Sequence, residues 1–311
     1  MTAALRHEGL VVSAHGRHCV VETPGGERVR CHPRGKRLAV VIGDRVRWAR
    51  VHDEGVIEQV LPRRNLLSRQ DHARTKTFAA NLDQVLILVA AEPELSEPRL
   101  ARALIACEAA GIAPLIVLNK ADLAAPFERA WQLLAPYRRM GYRVLPLATR
   151  PTGDAALDAA RLHALSAELA GRVTLVLGPS GVGKSTLVNR LIPDAAAATG
   201  ALSQALGGGR HTTTSSTWYW LDGTRRGALI DSPGFQEFGL QHIDPAQLAA
   251  YMPDLRPHVA ACRFYNCTHR HEPGCGVIAA TRTAAGDPAT VSGNRYKIYS
   301  DLWLELQPFV P

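Results

Sequence analysis

The chain of 311 residues contains no long hydrophobic run. Its longest apolar stretches, such as Val85–Ala91 and Leu115–Leu118, fall far below the roughly 18 residues that a membrane-spanning helix needs. No membrane partner is therefore expected. The opening residues, Met1–Leu10, lack the apolar core of a secretory signal, so a cytoplasmic protein is expected. Cysteine is sparse. Six residues are too few for a disulfide scaffold, and three of them crowd near the C-terminus with histidine among them. In a cytosolic chain that pattern reads as metal binding before disulfide bonding. Long repeats are also missing, and Ala195–Ala198 is too short to count as low complexity.

What the chain does have is positive charge. Net charge is +8 and the isoelectric point is about 9.4, which points to a polyanionic partner such as nucleic acid or an anionic membrane surface. The excess is uneven. Residues 1–68 hold 12 Lys/Arg against 7 Asp/Glu, whereas residues 241–311 hold 6 against 6. A polyanion-binding surface is thus expected mainly at the N-terminus.

The length suits two or three domains, and we expect them at 1–68, 69–240 and 241–311. In the first, short β-prone runs appear at Gly9–Ala14, His18–Glu22, Glu27–Cys31, Arg45–Val51 and Gly55–Val60, separated by turn residues. About five strands in sixty residues fit an OB-fold β-barrel; an SH3-like barrel would give nearly the same pattern. From about residue 82 the rhythm becomes alternating strand and helix, the mark of an α/β domain with a parallel sheet. Strands are expected at Gln84–Ala90, Pro114–Leu118, Arg143–Leu147, Val173–Leu177, Thr217–Leu221 and Gly227–Ile230. Helices are expected at Pro98–Ala110, Phe127–Met140, Asp154–Ala170 and Thr186–Leu191. Beyond about residue 240 the chain reads as irregular, then helical over Asn294–Leu306.

Two motifs in the α/β stretch carry chemistry. Gly178-Pro179-Ser180-Gly181-Val182-Gly183-Lys184-Ser185-Thr186 follows an apolar strand and opens a helix, which is the context that the phosphate-binding P-loop requires. Its glycines let backbone N–H groups converge on phosphate oxygens, and the helix N-terminus adds partial positive charge. Lys184 is expected to bridge the β- and γ-phosphates and Ser185 to ligate Mg²⁺. Asn119-Lys120-Ala121-Asp122 follows another apolar strand at the sheet edge where ligands bind. The Asp122 carboxylate can accept from guanine N1–H and the exocyclic amine, a donor pair that adenine lacks. Asn119 and Lys120 resemble the guanine loop of GTPases, where Asn contacts the base and Lys packs along it.

The order of the motifs is reversed relative to Ras-like enzymes, because Asn119 precedes Gly178 by 59 residues. A circularly permuted chain can build the same sheet if the ancestral ends lay close together. Asp231-Ser232-Pro233-Gly234 reads as the loop that senses Mg²⁺ and γ-phosphate. Gly209–Thr214 is the expected first switch, in which either Thr213 or Thr214 completes the Mg²⁺ shell. A fifth, poorly matched element falls at Ala148-Thr149. Ras-like enzymes place a water-orienting Gln after the Asp-x-x-Gly loop; Phe235 stands there, so His211 in the switch is the candidate for that catalytic task.

Near the C-terminus, Cys262-x4-Cys267-x-His269-x5-Cys275 offers three thiols and an imidazole within fourteen residues, a closed structural zinc set. His271 is an alternative fourth ligand by spacing, and an iron–sulfur centre is the second choice of metal. Cys19, Cys31 and Cys107 stand apart and read as packing residues.

With Asn119–Asp122, Gly178–Thr186, Gly209–Thr214, Asp231–Gly234 and Cys262–Cys275 in hand, the chain resembles the ribosome small subunit-dependent GTPase A (RsgA/YjeQ) family over nearly its whole length. The resemblance implies an N-terminal OB-fold, a permuted GTPase domain and a C-terminal zinc domain, with His269 as the fourth ligand. It also implies a cytoplasmic, monomeric factor in late maturation of the 30S subunit that binds 16S rRNA, GTP and GDP, with hydrolysis stimulated by the subunit. The rival reading is an RNA-binding assembly module in which GTP is a mainly structural ligand.

Overall fold

The structure is a computed structural model and describes residues 6–15, 18–35, 38–70, 75–193, 195, 216–232, 238–283 and 290–307. Five strands open the chain: β1 (Arg6–His15), β2 (His18–Glu22), β3 (Arg28–Pro33), β4 (Arg45–Val51) and β5 (Glu54–Val60). Their order β1-β2-β3-β5-β4 closes through a β1–β4 pairing, and β3 runs parallel to β5. The result is a closed five-stranded barrel of the OB type, which disposes of exposed edges by closure. Alternation decides what faces in. In β4, Val46 and Trp48 are buried while Arg45 and Arg47 face water. The barrel core is Val11, Cys19, Val21, Val29, Cys31, Val46, Trp48 and Ile57. Gly55 is needed there, since a Cβ would stand 2.3 Å from the Cys31 sulfur and 2.7 Å from the Trp48 ring. Burial raises the Cys19 and Cys31 thiols to about 12, so both are inert packing groups. Cys107 is likewise fully buried.

A hairpin of β6 (Leu66–Gln70) and β7 (Thr75–Ala80) follows, which the sequence pattern did not announce. It is tied to the barrel by Ala80 N–H donating to Ile42 O at 2.9 Å and by the Asn81 amide donating to Gly43 O at 2.9 Å. Arg63 adds a paired contact to the fully buried Asp44 at 2.7 and 2.8 Å.

The α/β layer holds β8 (Gln84–Ala90), β9 (Ala113–Asn119), β10 (Arg143–Pro146), β11 (Val173–Leu177), β12 (Thr217–Trp220) and β13 (Ala228–Asp231) in the order β10-β9-β8-β11-β13-β12. All pairings are parallel except β12–β13. Every residue of β8 is buried, as both faces of a parallel sheet are covered. Val85, Ile87 and Val89 feed the core under α1 (Glu97–Ala110). Leu86 and Leu88 feed the opposite core with α4 (Ala155–Leu169) and α5 (Lys184–Leu191). The helix expected over Phe127–Met140 is instead two, α2 (Ala124–Leu133) and α3 (Ala135–Arg139). Pro136 explains the break, because proline donates no backbone bond and crowds the preceding turn. β8, β9 and β10 precede β11 in the chain yet lie beside it, which is the permuted arrangement.

Barrel and α/β layer are one continuous sheet, joined where β1 pairs with β12 at Ser13 and Thr217. Trp220 Nε1 donates to Glu22 at 2.8 Å across the same seam. The C-terminal region folds against α1. Leu248, Val277, Ile298, Tyr299 and Leu302 share a core with Leu100 and Leu104. The last helix, Gly293–Glu305, is pinned by Asn294 donating to Glu97 at 2.8 Å and by the paired contact of Arg102 with Glu305. No helix among the described residues is long and apolar enough to cross a membrane.

One buried ion pair closes the C-terminal region. Arg295, 3 % exposed, grips Asp254 through two hydrogen bonds of 2.8 and 2.9 Å and lies over the Tyr137 ring. Removing one partner of such a pair strands a buried charge. Arg295→Met is therefore expected to cost about 3–5 kcal/mol in urea unfolding followed by tryptophan fluorescence, and Arg295→Met with Asp254→Leu distinctly less.

Candidate nucleotide site and metal centre

The loops that carry the motifs all leave the same end of the parallel sheet. Asn119 ends β9, Ala148 and Thr149 follow β10, Gly178 follows β11 and Asp231 ends β13. Ligands bind at this carboxyl edge in open α/β sheets. The loops enclose a cleft of about 760 Å³ whose wall includes Lys120, Asp122, Thr149, Arg150, Ser180, Gly181 and Gly183–Thr186.

Asn119 is fully buried and locks the loops together. Its amide nitrogen donates to Val182 O of the P-loop at 2.8 Å and to Thr149 Oγ1 at 3.1 Å, and its oxygen accepts from Thr149 N at 3.1 Å. Both amide hydrogens thus have partners inside the protein, which makes Asn119 a clamp between the loops. Gly183 permits this approach. Its φ is +97°, and a Cβ there would lie 2.4 Å from the Asn119 amide nitrogen. Lys120 has a left-handed backbone, φ 69°, uncommon for a side chain of its size. Ala121 N–H donates to Leu147 O at 3.1 Å, which fixes the loop against β10. One oxygen of Asp122 is buried with no hydrogen-bond partner. Buried polar groups are rarely left unpaired. A carboxylate oxygen in that condition beside a cleft suits a ligand with N–H donors, as guanine has.

At the other end of the cleft Lys184 is ion-paired with Asp231, and Ser232 Oγ donates to Val176 O at 2.8 Å. The candidate phosphate-binding cation and the candidate Mg²⁺ carboxylate therefore adjoin. Arg190 of α5 reaches back to the carbonyls of Ala148 and Thr149 at 3.3 and 3.2 Å, a brace that the sequence motifs did not announce. The switch Gly209–Thr214, with His211, Thr213 and Thr214, lies outside the described residues, as does Gly234.

The cysteine cluster is assembled in the C-terminal region. Metal-ligating atoms of Cys262, Cys267, His269 and Cys275 all lie within 4.8 Å of one another. A tetrahedral zinc site has edges of about 3.8 Å between sulfurs and about 3.5 Å from sulfur to nitrogen, given its bond lengths. Cys262 and Cys275 sulfurs are 3.9 Å apart, and His269 Nδ1 is 3.3 Å from Cys262 and 3.5 Å from Cys275. The residues fit the group. Backbone N–H groups of Gly276 and Ile278 donate to the Cys262 and Cys275 sulfurs at 3.4 Å each, which favours thiolates. His271 stands outside the cluster, so His269 is the fourth member.

Loop shape around the cluster comes from Glu272. Its carboxylate accepts from Thr268 N at 2.8 Å, Arg270 N at 3.1 Å and His271 N at 3.2 Å, and also from the Thr268 hydroxyl. Burial opposes its ionisation, but these donors outweigh it and hold the carboxyl well below the usual range. Tyr296 and Tyr299 of the last helix donate to His269 O at 2.8 Å and Thr268 O at 2.9 Å.

A closed OB-type barrel, a permuted P-loop sheet and a Cys₃His knuckle together define a circularly permuted GTPase with flanking modules. Residues 60–241 match the model of the RsgA GTPase family. The chain is 63 % identical over 305 residues to the small ribosomal subunit biogenesis GTPase RsgA of Variovorax paradoxus, covering 98 % of this chain and 94 % of that one. A protein of the same name from Burkholderia pseudomallei is 49 % identical over 308 residues, again covering 98 % and 94 %. Among solved structures it resembles YjeQ from Thermotoga maritima with TM-score 0.73 and 30 % identity, over 97 % of this chain and 99 % of that one. The chain belongs to the RsgA GTPase family.

The cluster generates a direct test. Chelation, or Cys267→Ala, is expected to release about one metal ion per chain and to open residues 255–283 to protease, while guanine nucleotide still binds. A purified chain carrying no metal, with 255–283 equally protected before and after chelation, would contradict this.

Proposed function

We propose that the chain is a GTP hydrolase that works on the maturing 30S ribosomal subunit, in keeping with its relatives, which are named small ribosomal subunit biogenesis GTPases. The observation that carries the nucleotide half is the partnerless Asp122 oxygen beside a cleft that also holds Lys184 and Ser185. In this reading Asn119–Asp122 hold the guanine end, with Asn119 acting through the P-loop, and Gly178–Thr186 cradle the phosphates. Ser185, Asp231, Gly234 and one of Thr213 and Thr214 serve Mg²⁺ and the γ-phosphate. Lys184 neutralises charge that grows on the transferring group, and His211 positions water in place of the Gln that Phe235 displaces. Cys262, Cys267, His269 and Cys275 hold one structural Zn²⁺, which supplies folding energy to the C-terminal region. The units are residues 1–68, 69–240 and 241–311. The factor is a cytoplasmic monomer, and the basic N-terminal barrel meets 16S rRNA.

Two measurements test the reading. Asp122→Asn should shift preference from GTP toward XTP, because an amide can donate to the 2-oxo group of xanthine; a variant that still prefers GTP would remove Asp122 as the base reader. Phosphate release should rise strongly when small subunits are added, and His211→Ala should lose that stimulation on the order of 10²-fold while binding is kept. Flat, negligible release with subunits would favour an assembly module that holds GTP as a structural ligand.

A further inference from the structure

Between Cys262 and Cys267 the chain forms a short outward loop, Arg263-Phe264-Tyr265-Asn266. Tyr265 is 103 % exposed and Phe264 41 %. Among the described residues no other Phe, Tyr or Trp is classed as exposed. The loop is held out by its ends. Cys262 and Cys267 converge on the metal cluster, Arg263 N–H donates to Gly274 O at 3.0 Å, and Cys267 N–H donates to Phe264 O at 3.3 Å. The Arg263 guanidinium lies over the Phe264 ring at 5.5 Å. The tip is therefore a presented aromatic ring on a loop whose two ends meet in the Cys₃His cluster.

Charge in the chain segment that bears the tip is mostly of one sign. Residues 255–283 contain four arginines, Arg256, Arg263, Arg270 and Arg282, and one acid, Glu272. Glu272 is spent on the backbone of its own loop. Residues 241–311 as a whole are neutral, 6 Lys/Arg against 6 Asp/Glu, so the arginines are concentrated in the segment that bears the ring; of these, Arg256 is ion-paired with Glu108 at 3.7 Å and Arg270 lies over the Trp303 ring at 4.9 Å, which leaves Arg263 beside the tip. A flat ring with a nearby guanidinium group suits a strand that offers both base faces and phosphates. Proteins that bind single strands combine aromatic stacking with positive charge, and unpaired bases are what RNA recognition commonly targets.

From this arrangement we infer that the knuckle captures an unpaired base of an RNA strand, stacked on Tyr265, with Arg263 facing a flanking phosphate. The inference rests on the small-subunit reading only for which RNA supplies the base. The test uses the full-length, metal-loaded, GDP-bound protein and fluorescence anisotropy with a short labelled oligouridylate, beside an RNA duplex of equal length. Tyr265→Ala is expected to weaken oligouridylate binding on the order of 10-fold, and Tyr265→Phe to retain it. Duplex affinity, metal content and basal GTP hydrolysis should stay as in the parent. The inference is overturned if Tyr265→Ala binds oligouridylate like the parent, or if single strand and duplex weaken together. It is also overturned if oligouridylate binding holds while sedimentation with small subunits falls, since the ring would then be docking on a protein. Parent protein that neither sediments with subunits nor is stimulated by them would instead defeat the small-subunit reading, whatever the oligouridylate shows.

Discussion

Everything at the nucleotide cleft depends on one buried amide. The guanine loop and the P-loop leave different strands, β9 and β11, 59 residues apart in the chain, so no short covalent path keeps them in register. Asn119 replaces that path by hydrogen-bonding Val182 of the P-loop and Thr149 of the neighbouring loop at once. Because the amide is buried, losing either partner would leave an unpaired polar group, which is costly. That penalty holds three loops from separate strands in one geometry. The absence of a side chain at Gly183 is part of the same arrangement, since a methyl group there would occupy the place of the amide.

The segments leaving the cleft are also fastened to the N-terminal part. β12, which follows the expected first-switch stretch in the chain, pairs with β1 of the barrel. Beyond the Asp231 loop, Gly239 O accepts from Gln70 N and Gln241 N–H donates to Gln70 O, at 3.0 and 3.1 Å. Phe238 stacks on Phe78 of the β6–β7 hairpin at 5.4 Å. The hairpin in turn holds Ile42 and Gly43 of the barrel. Asp231, ion-paired with Lys184, thus ends a strand of the same continuous sheet as the barrel.

Much of this was legible from residue patterns, and the exceptions share a cause. β8 could be read because seven consecutive buried residues belong to a strand covered on both faces. The P-loop and the cysteine spacing could be read because their chemistry needs particular residues at particular offsets. The β6–β7 hairpin could not, because Leu66–Gln70 and Thr75–Ala80 show neither clean alternation nor a continuous apolar run. The clamp role of Asn119, the Arg190 brace and the Arg295–Asp254 pair rest on contacts between residues far apart in the chain, which local periodicity does not encode. Spacing left His269 and His271 level as ligands; the turn ordered by Glu272 decides between them.

The central claim is that three separately encoded loops make a single site selective for guanine. Calorimetric titration of the purified chain with GDP and with ADP tests it most directly. A site whose buried Asp122 oxygen needs N–H donors should bind GDP at least about 10²-fold more tightly than ADP, because adenine would leave that oxygen unpaired. Equal affinities, or tighter binding of ADP, would contradict the account.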